Sequence, residues 1–280
     1  MNNFRLIILM GGLSVILVII GNAIGGSSGA MIFLGISLIM NLYSFYNSDK
    51  LVIKMTKSRP LEKHEAPEVH NTVKRLADRA GLPMPRLYLA PSQQPNAFAT
   101  GRNPEHSAVA VTAGLLNLMN QQELEGVLAH ELAHIKNRDI LIGSVAAAMA
   151  GAISMIANII QWGAIFGNFG GSDDEGGGIL GLLAMAILAP IAAMIIQMAI
   201  SRSREYAADE TGARITGNPR GLASALLKLE KGAAQIPMQT NPSTAHMYIM
   251  RPFSARGLQA LFSTHPSTSE RVETLQQMIL

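Results

Sequence analysis

Five consecutive residues, His130, Glu131, Leu132, Ala133 and His134, set two imidazoles four positions apart with a carboxylate next to the first. On an α-helix, positions i and i+4 share a face, so both rings can aim a nitrogen at one metal ion. Glu131, about 100° round the helix, can reach a water bound to that ion. The pattern is the H-E-x-x-H signature of zinc peptidases. The chemistry it predicts is peptide hydrolysis with one zinc ion per chain, Glu131 acting as the general base. The plain alternative is a solvated helix with two surface histidines, and the surrounding sequence decides between them.

Two histidines leave such a site one ligand short, because a catalytic zinc takes three protein ligands and keeps a fourth position open. The chain has no cysteine, so the third ligand must be His, Asp or Glu, and the lack of disulfides fits a reducing compartment. Glu205 and Asp209 are four apart on one expected helix and share a face. One can bind the metal while the other orients a ligand. Beside Arg202 and Arg204 they can equally form a solvated acidic face, and topology favours the site.

All 22 Lys and Arg are Arg5 or fall within 50–138 and 202–271. The two basic-free intervals between them each hold two apolar runs, Leu6 to Ile20 and Ala30 to Tyr46, then Ile140 to Trp162 and Gly178 to Ile200. Each run approaches the ~20 residues that span a bilayer. The first pair is joined by the turn Gly25 to Gly29, the second by a glycine-rich loop with Asp173, Asp174 and Glu175. A cleavable signal peptide is the competing reading of the N-terminus, but a second span follows at once. The expected organisation is a transmembrane hairpin at 1–49, a first catalytic part at 50–139, a second hairpin at 140–200 and a second catalytic part at 201–280. Basic residues bracket both hairpins, so the positive-inside rule puts both catalytic parts in the cytoplasm. The motif and the Glu205 helix then stand at similar heights above one membrane face, since six residues of helix cover ~9 Å. The net charge of +3 is read as topology and contact with anionic lipid, with no nucleic-acid partner.

The soluble parts predict an α+β, mainly helical fold with a small sheet. Pro67 to Ala80 places Val69, Val73, Leu76, Ala77 and Ala80 on one helical face. Strand candidates are Leu87 to Ala90, Ala97 to Thr100 and Ser107 to Thr112. A short helix over Thr112 to Asn120 precedes the motif helix, which begins at Gln121. The second part continues the fourth span as one helix to Gly217, then Asn218 and Pro219 open an amphipathic helix with Leu222, Leu226 and Leu229. Residues 232–257 read as irregular, and Ser267 to Glu270 is a capping box for a C-terminal helix. The small-residue run Ser144 to Gly151 reads as a helix-packing face.

Together, the hydrophobic hairpins, Asn96 to Ala99, H-E-x-x-H, Glu205 with Asp209, and His265-Pro266 with Arg271 resemble the HtpX-type heat-shock membrane metalloproteases, a group related to the CAAX prenyl proteases. The resemblance covers nearly the whole chain. It implies a gluzincin-like catalytic domain, with Glu205 as third zinc ligand and Asp209 holding a ligand histidine in its metal-binding tautomer. It also implies His265 as donor to the oxyanion, Arg271 as partner of Asp209, and Asn96 and Phe98 at the border of the substrate cleft, where a peptide adds to the sheet edge. The implied setting is the bacterial inner membrane, with misfolded membrane or unfolded proteins as substrates and self-cleavage on extraction. Two other functions compete: processing of lipidated or prenylated C-termini, and a non-enzymatic zinc-stabilised membrane scaffold. The oligomeric state is not legible.

Overall fold

The computed structural model describes residues 2–165, 201–236, 238, 240–250 and 266–279. The glycine-rich loop, the fourth expected span and His265 lie outside them. Helix α1 (Asn2–Met55) is broken at Gly25 and Gly26, where Gly26 has φ 57°, and again at Asn47. The left-handed backbone at Gly26 would strain a side chain, and it turns α1 into a hairpin. Asn41 ties the arms by donating to Met10 O at 3.2 Å and to Ser14 Oγ at 2.9 Å. Gly25–Met55 is long and apolar enough to cross a membrane, and Leu6–Ile19 is a shorter apolar helix. Ile7, Val15, Ile19, Met31, Ile32 and Ile39 are exposed on this hairpin, a pattern suited to lipid rather than water.

The described residues after α1 are mainly helical with a small mixed sheet. Strands β1 (Arg59–Pro60), β2 (Arg86–Ala90), β3 (Ala97–Gly101) and β4 (Ser107–Thr112) lie in the order β1-β2-β4-β3. β2 and β4 are parallel, while β3 runs antiparallel to β4 with Ala97 opposite Val111. β3 is therefore an outer strand. β1 was not expected from sequence: two exposed residues, one of them proline, carry no alternation to read.

Helix α2 (Pro67–Ala80) buries the five apolar residues its periodicity selects, and Thr72 with them. A short α3 (Ala113–Leu118) leads to α4 (Gln121–Lys136), whose capping box joins Asn120 and Glu123. α4 is buried along most of its length, packed among α2, the sheet and two later helices, α6 (Arg202–Thr216) and α7 (Pro219–Gln235). Glu123 pins α4 to α7 by accepting from Ser224 Oγ and Lys228 Nζ, both at 2.7 Å. Burial pushes the Glu123 carboxyl up, but Lys228, the Asn120 N–H and Ser224 outweigh it and hold it below its ordinary range.

Helix α5 (Ile140–Ile165) leaves α4 at a bend of 89°. Ser144 to Ala150 are almost wholly enclosed, since small side chains let α1 and β3 approach from two sides. One expectation is corrected at Ser201. It takes an extended conformation (φ −155°, ψ 120°), so α6 starts at Arg202 instead of continuing unbroken from residues before it. The break frees α6 to lie along α4. Gly212 permits the contact: a Cβ there would sit 3.0–3.1 Å from the main chain of Ala129 and His130. The C-terminal α8 (Thr268–Gln277) opens on the Ser267–Glu270 capping box and packs on α7 and α6.

Candidate metal centre

The α4–α6 contact sets the geometry of the motif. His130 Nε2 and His134 Nε2 are 3.1 Å apart. Each is 3.8 Å from an oxygen of Glu205, His130 from Oε2 and His134 from Oε1. The three ligand atoms lie within 4.8 Å of one another, and this is the one such cluster among the described residues. A tetrahedral zinc with bonds of 2.0–2.1 Å separates its ligands by about 3.3 Å. With the two ring nitrogens 3.1 Å apart, a different Glu205 oxygen 3.8 Å from each, and one atom from each residue within 4.8 Å of the others, the cluster fits such an ion with small side-chain adjustments. All three donors are nitrogen or oxygen, as a chain without thiols requires.

The opposite ring nitrogens face carboxylates. His134 Nδ1 donates to Asp139 Oδ1 at 3.0 Å. His130 Nδ1 is 2.9 Å from Asp209 Oδ1, close but not aligned as a hydrogen bond. Such partners fix the tautomer that leaves Nε2 for a metal. Asp139 reaches its place because Arg138 takes a left-handed turn (φ 56°) directly after the helix. Asp209 is held in turn by Arg271, whose Nε and Nη2 donate to its two oxygens at 2.7 Å each. Arg271 Nη1 also stands 3.7 Å from Glu205 Oε2. α8 thus backs the cluster from behind α6.

At His134, which is pushed up to about 10, and at Asp209 the neighbouring charges outweigh burial, but at His130 and Glu131 burial prevails. It pushes His130 down despite Asp209, favouring a neutral imidazole, and it pushes Glu131 up to about 8, with Glu205 adding to the rise. Asp209 is pushed up by burial too, but Arg271, with help from His130, holds it at about 2. A carboxylate poised near neutrality beside converging imidazoles suits general-base chemistry.

Glu131, His134 and Glu205 line a cavity of about 60 Å³ with Ala99, Gly143, Arg204, His246 and Met247 among its walls. Asn96 and Phe98 do not open onto it. Asn96 is fully buried and exchanges hydrogen bonds with Met250, donating to its O at 2.7 Å and accepting from its N at 3.1 Å. Phe98 is buried edge-on against Tyr248, ring centres 5.0 Å apart. Asp139, Arg204, His246 and Met247 were not singled out from sequence. Asp139 carried a signal, an acid just after the motif helix and within reach of its last turn; His246 and Met247, in an irregular stretch, carried none.

The model of a family described as peptidase family M48 matches residues 63–279. A protein described as "Protease HtpX homolog" from Pelotomaculum thermopropionicum is 64% identical over 283 residues, covering 100% of both chains. A protein of the same description from Thermococcus kodakarensis is 53% identical over 272 residues, covering 97% of this chain and 94% of its own. Among solved structures, S. mikatae Ste24p superposes with a TM-score of 0.51 at 22% identity, over 98% of this chain and 64% of that one, a likeness of fold.

Proposed function

Because the chain belongs to peptidase family M48 and is a metalloprotease, we propose that it is a zinc endopeptidase of the bacterial inner membrane that cleaves misfolded or damaged membrane proteins at the cytoplasmic face. The observation that carries this is the convergence of His130, His134 and Glu205 beside the buried Glu131. In this reading those three side chains hold the ion. Zinc, when bound, lowers the pKa of water and polarises the substrate carbonyl.

Glu131 takes a proton from the attacking water as its oxygen bonds to the carbonyl carbon. It then hands that proton to the leaving amine as the C–N bond breaks. Asp139 and Asp209 keep the two imidazoles turned to the metal, and Arg271 keeps Asp209 charged. His265 serves as N–H donor to the oxyanion, an assignment supported by the family resemblance alone. Asn96 and Phe98, buried beneath Met250 and Tyr248, are placed at the border of the substrate cleft by the family resemblance alone. The membrane setting is supported by the apolar hairpin of α1 and by the distribution of lysine and arginine. Four spans in two hairpins, with both catalytic parts cytoplasmic, fit that distribution best.

Two measurements test this. Purified protein is expected to degrade casein and a misfolded model membrane protein. Stripping with a chelator should lower the rate at least a hundredfold and one equivalent of zinc restore it; undiminished cleavage by the stripped protein refutes a zinc enzyme. An enzyme reporter fused at Asp174 should read as periplasmic. Cytoplasmic activity of that fusion overturns the second hairpin.

A further inference from the structure

The cavity at the metal centre holds about 60 Å³, whereas clefts that take ligands of even modest size run to several hundred. A few waters fit; a polypeptide does not. Of the walls, α4, α5 and α6 belong to the packed interior. Among the other described walls are Ala99 of β3 and the 3-10 helix Pro242–Met247, which contributes His246 and Met247. That helix is fastened to α5 through His246. His246 Nε2 donates to Gly143 O at 3.2 Å.

The residues that follow lie along β3. This outer strand directs the main-chain groups of Ala97, Ala99 and Gly101 away from β4, and each meets something. Ile249 N donates to Ala97 O at 3.1 Å, the Ala99 N–H faces Glu131, and Gly101 N donates to Ser144 Oγ at 3.0 Å. Asn96 clasps both main-chain groups of Met250. Tyr248 fills an apolar socket of Val52, Phe98, Ala110, Ala147 and Met238. Ala97 and Ala99 are ~7 Å apart along the strand, so the chain paired to Ala97 lies within two residues of the level of Glu131.

We infer that residues 242–250 are a strap occupying the substrate cleft, and that an extended substrate segment displaces it. The incoming chain takes over the Ile249 bond to Ala97 O and the Asn96 clasp, and a bulky apolar side chain takes over the Tyr248 socket. The preferred substrate is thus a stretch of chain with free main-chain groups and an exposed large apolar residue, which an unfolded protein presents and a folded one hides. An extended segment can add to the sheet edge in its place. The inference rests on the peptidase reading.

Tyr248→Ala is expected to raise kcat/KM for a short unstructured peptide at least fivefold, mostly through KM, with zinc content unchanged. No gain, or a loss, in a variant that keeps its zinc and its unfolding midpoint overturns the strap. A second arm holds whether or not that variant folds. The chain has no cysteine, so Gly143→Cys with His246→Cys can be bridged by a reducible bismaleimide. The bridged protein should cleave at least tenfold more slowly than the same protein after reduction; equal rates overturn the proposal. Wild type that cleaves nothing in the presence of zinc defeats the peptidase reading instead.

Discussion

Glu131→Gln should leave one zinc per chain and remove cleavage, lowering kcat/KM by about 10²- to 10⁴-fold. Glutamine has nearly the same shape and accepts a hydrogen bond, but it cannot take a proton from water and return it to an amine. Glu131 is outside the three converging ligand atoms, so metal content has no reason to follow activity. Its enclosure matters to the size of the effect. Burial raises the carboxyl to about 8, which makes Glu131 a stronger base than a solvated glutamate. Metal analysis and casein digestion on one preparation check both halves. An active variant ends the assignment.

Arg271→Ala should destabilise the protein by about 3–5 kcal/mol, the cost of breaking a buried ion pair and stranding one partner. Asp209 has 3% of its side chain exposed and receives two guanidinium hydrogen bonds. Without them its burial dominates and the carboxyl takes up a proton more readily. The loss passes to His130, whose Nδ1 then faces a weaker acceptor, and zinc affinity should fall about 10- to 100-fold. The sign with pH follows from Asp209 being held down at about 2. Its contribution is fully present above the unfolded carboxylate range and is lost as pH falls toward 2, so the gap between wild type and variant is widest near neutrality. Unfolding midpoints across pH, with zinc dissociation at neutral pH, measure both effects. Equal midpoints would leave Arg271 without a structural task.

Local signals made the helices legible. The face of α2, the start of α4 at Gln121 and the caps of α7 and α8 follow from periodicity and from residues three positions apart. The motif announced its own chemistry for the same reason, since i and i+4 are neighbours on any helix. What stayed hidden depends on long-range contact or on irregular backbone. Nothing near residue 201 signalled an extended serine at the head of α6, because the apolar run and the helix formers beyond it read as continuous. The partner of Asn96 is Met250, 154 residues away, and no spacing rule reaches that far. The strap lacks periodicity, so its buried Thr244, Tyr248 and Ile249 look like surface loop until the sheet edge beneath them is seen.

The residues that converge at the candidate metal centre are made at different times. His134 and Glu205 are 71 positions apart in the chain, and a ribosome adding 5–20 residues per second needs on the order of ten seconds to pass from one to the other. Until α6 emerges, the H-E-x-x-H helix has only two of its three converging groups, and until α8 emerges, Asp209 lacks its arginine. A half-made molecule therefore carries no working blade. If His130, His134 and Glu205 hold the metal as proposed, it cannot cut its own unfolded segments or neighbouring nascent chains during synthesis, when both are most exposed.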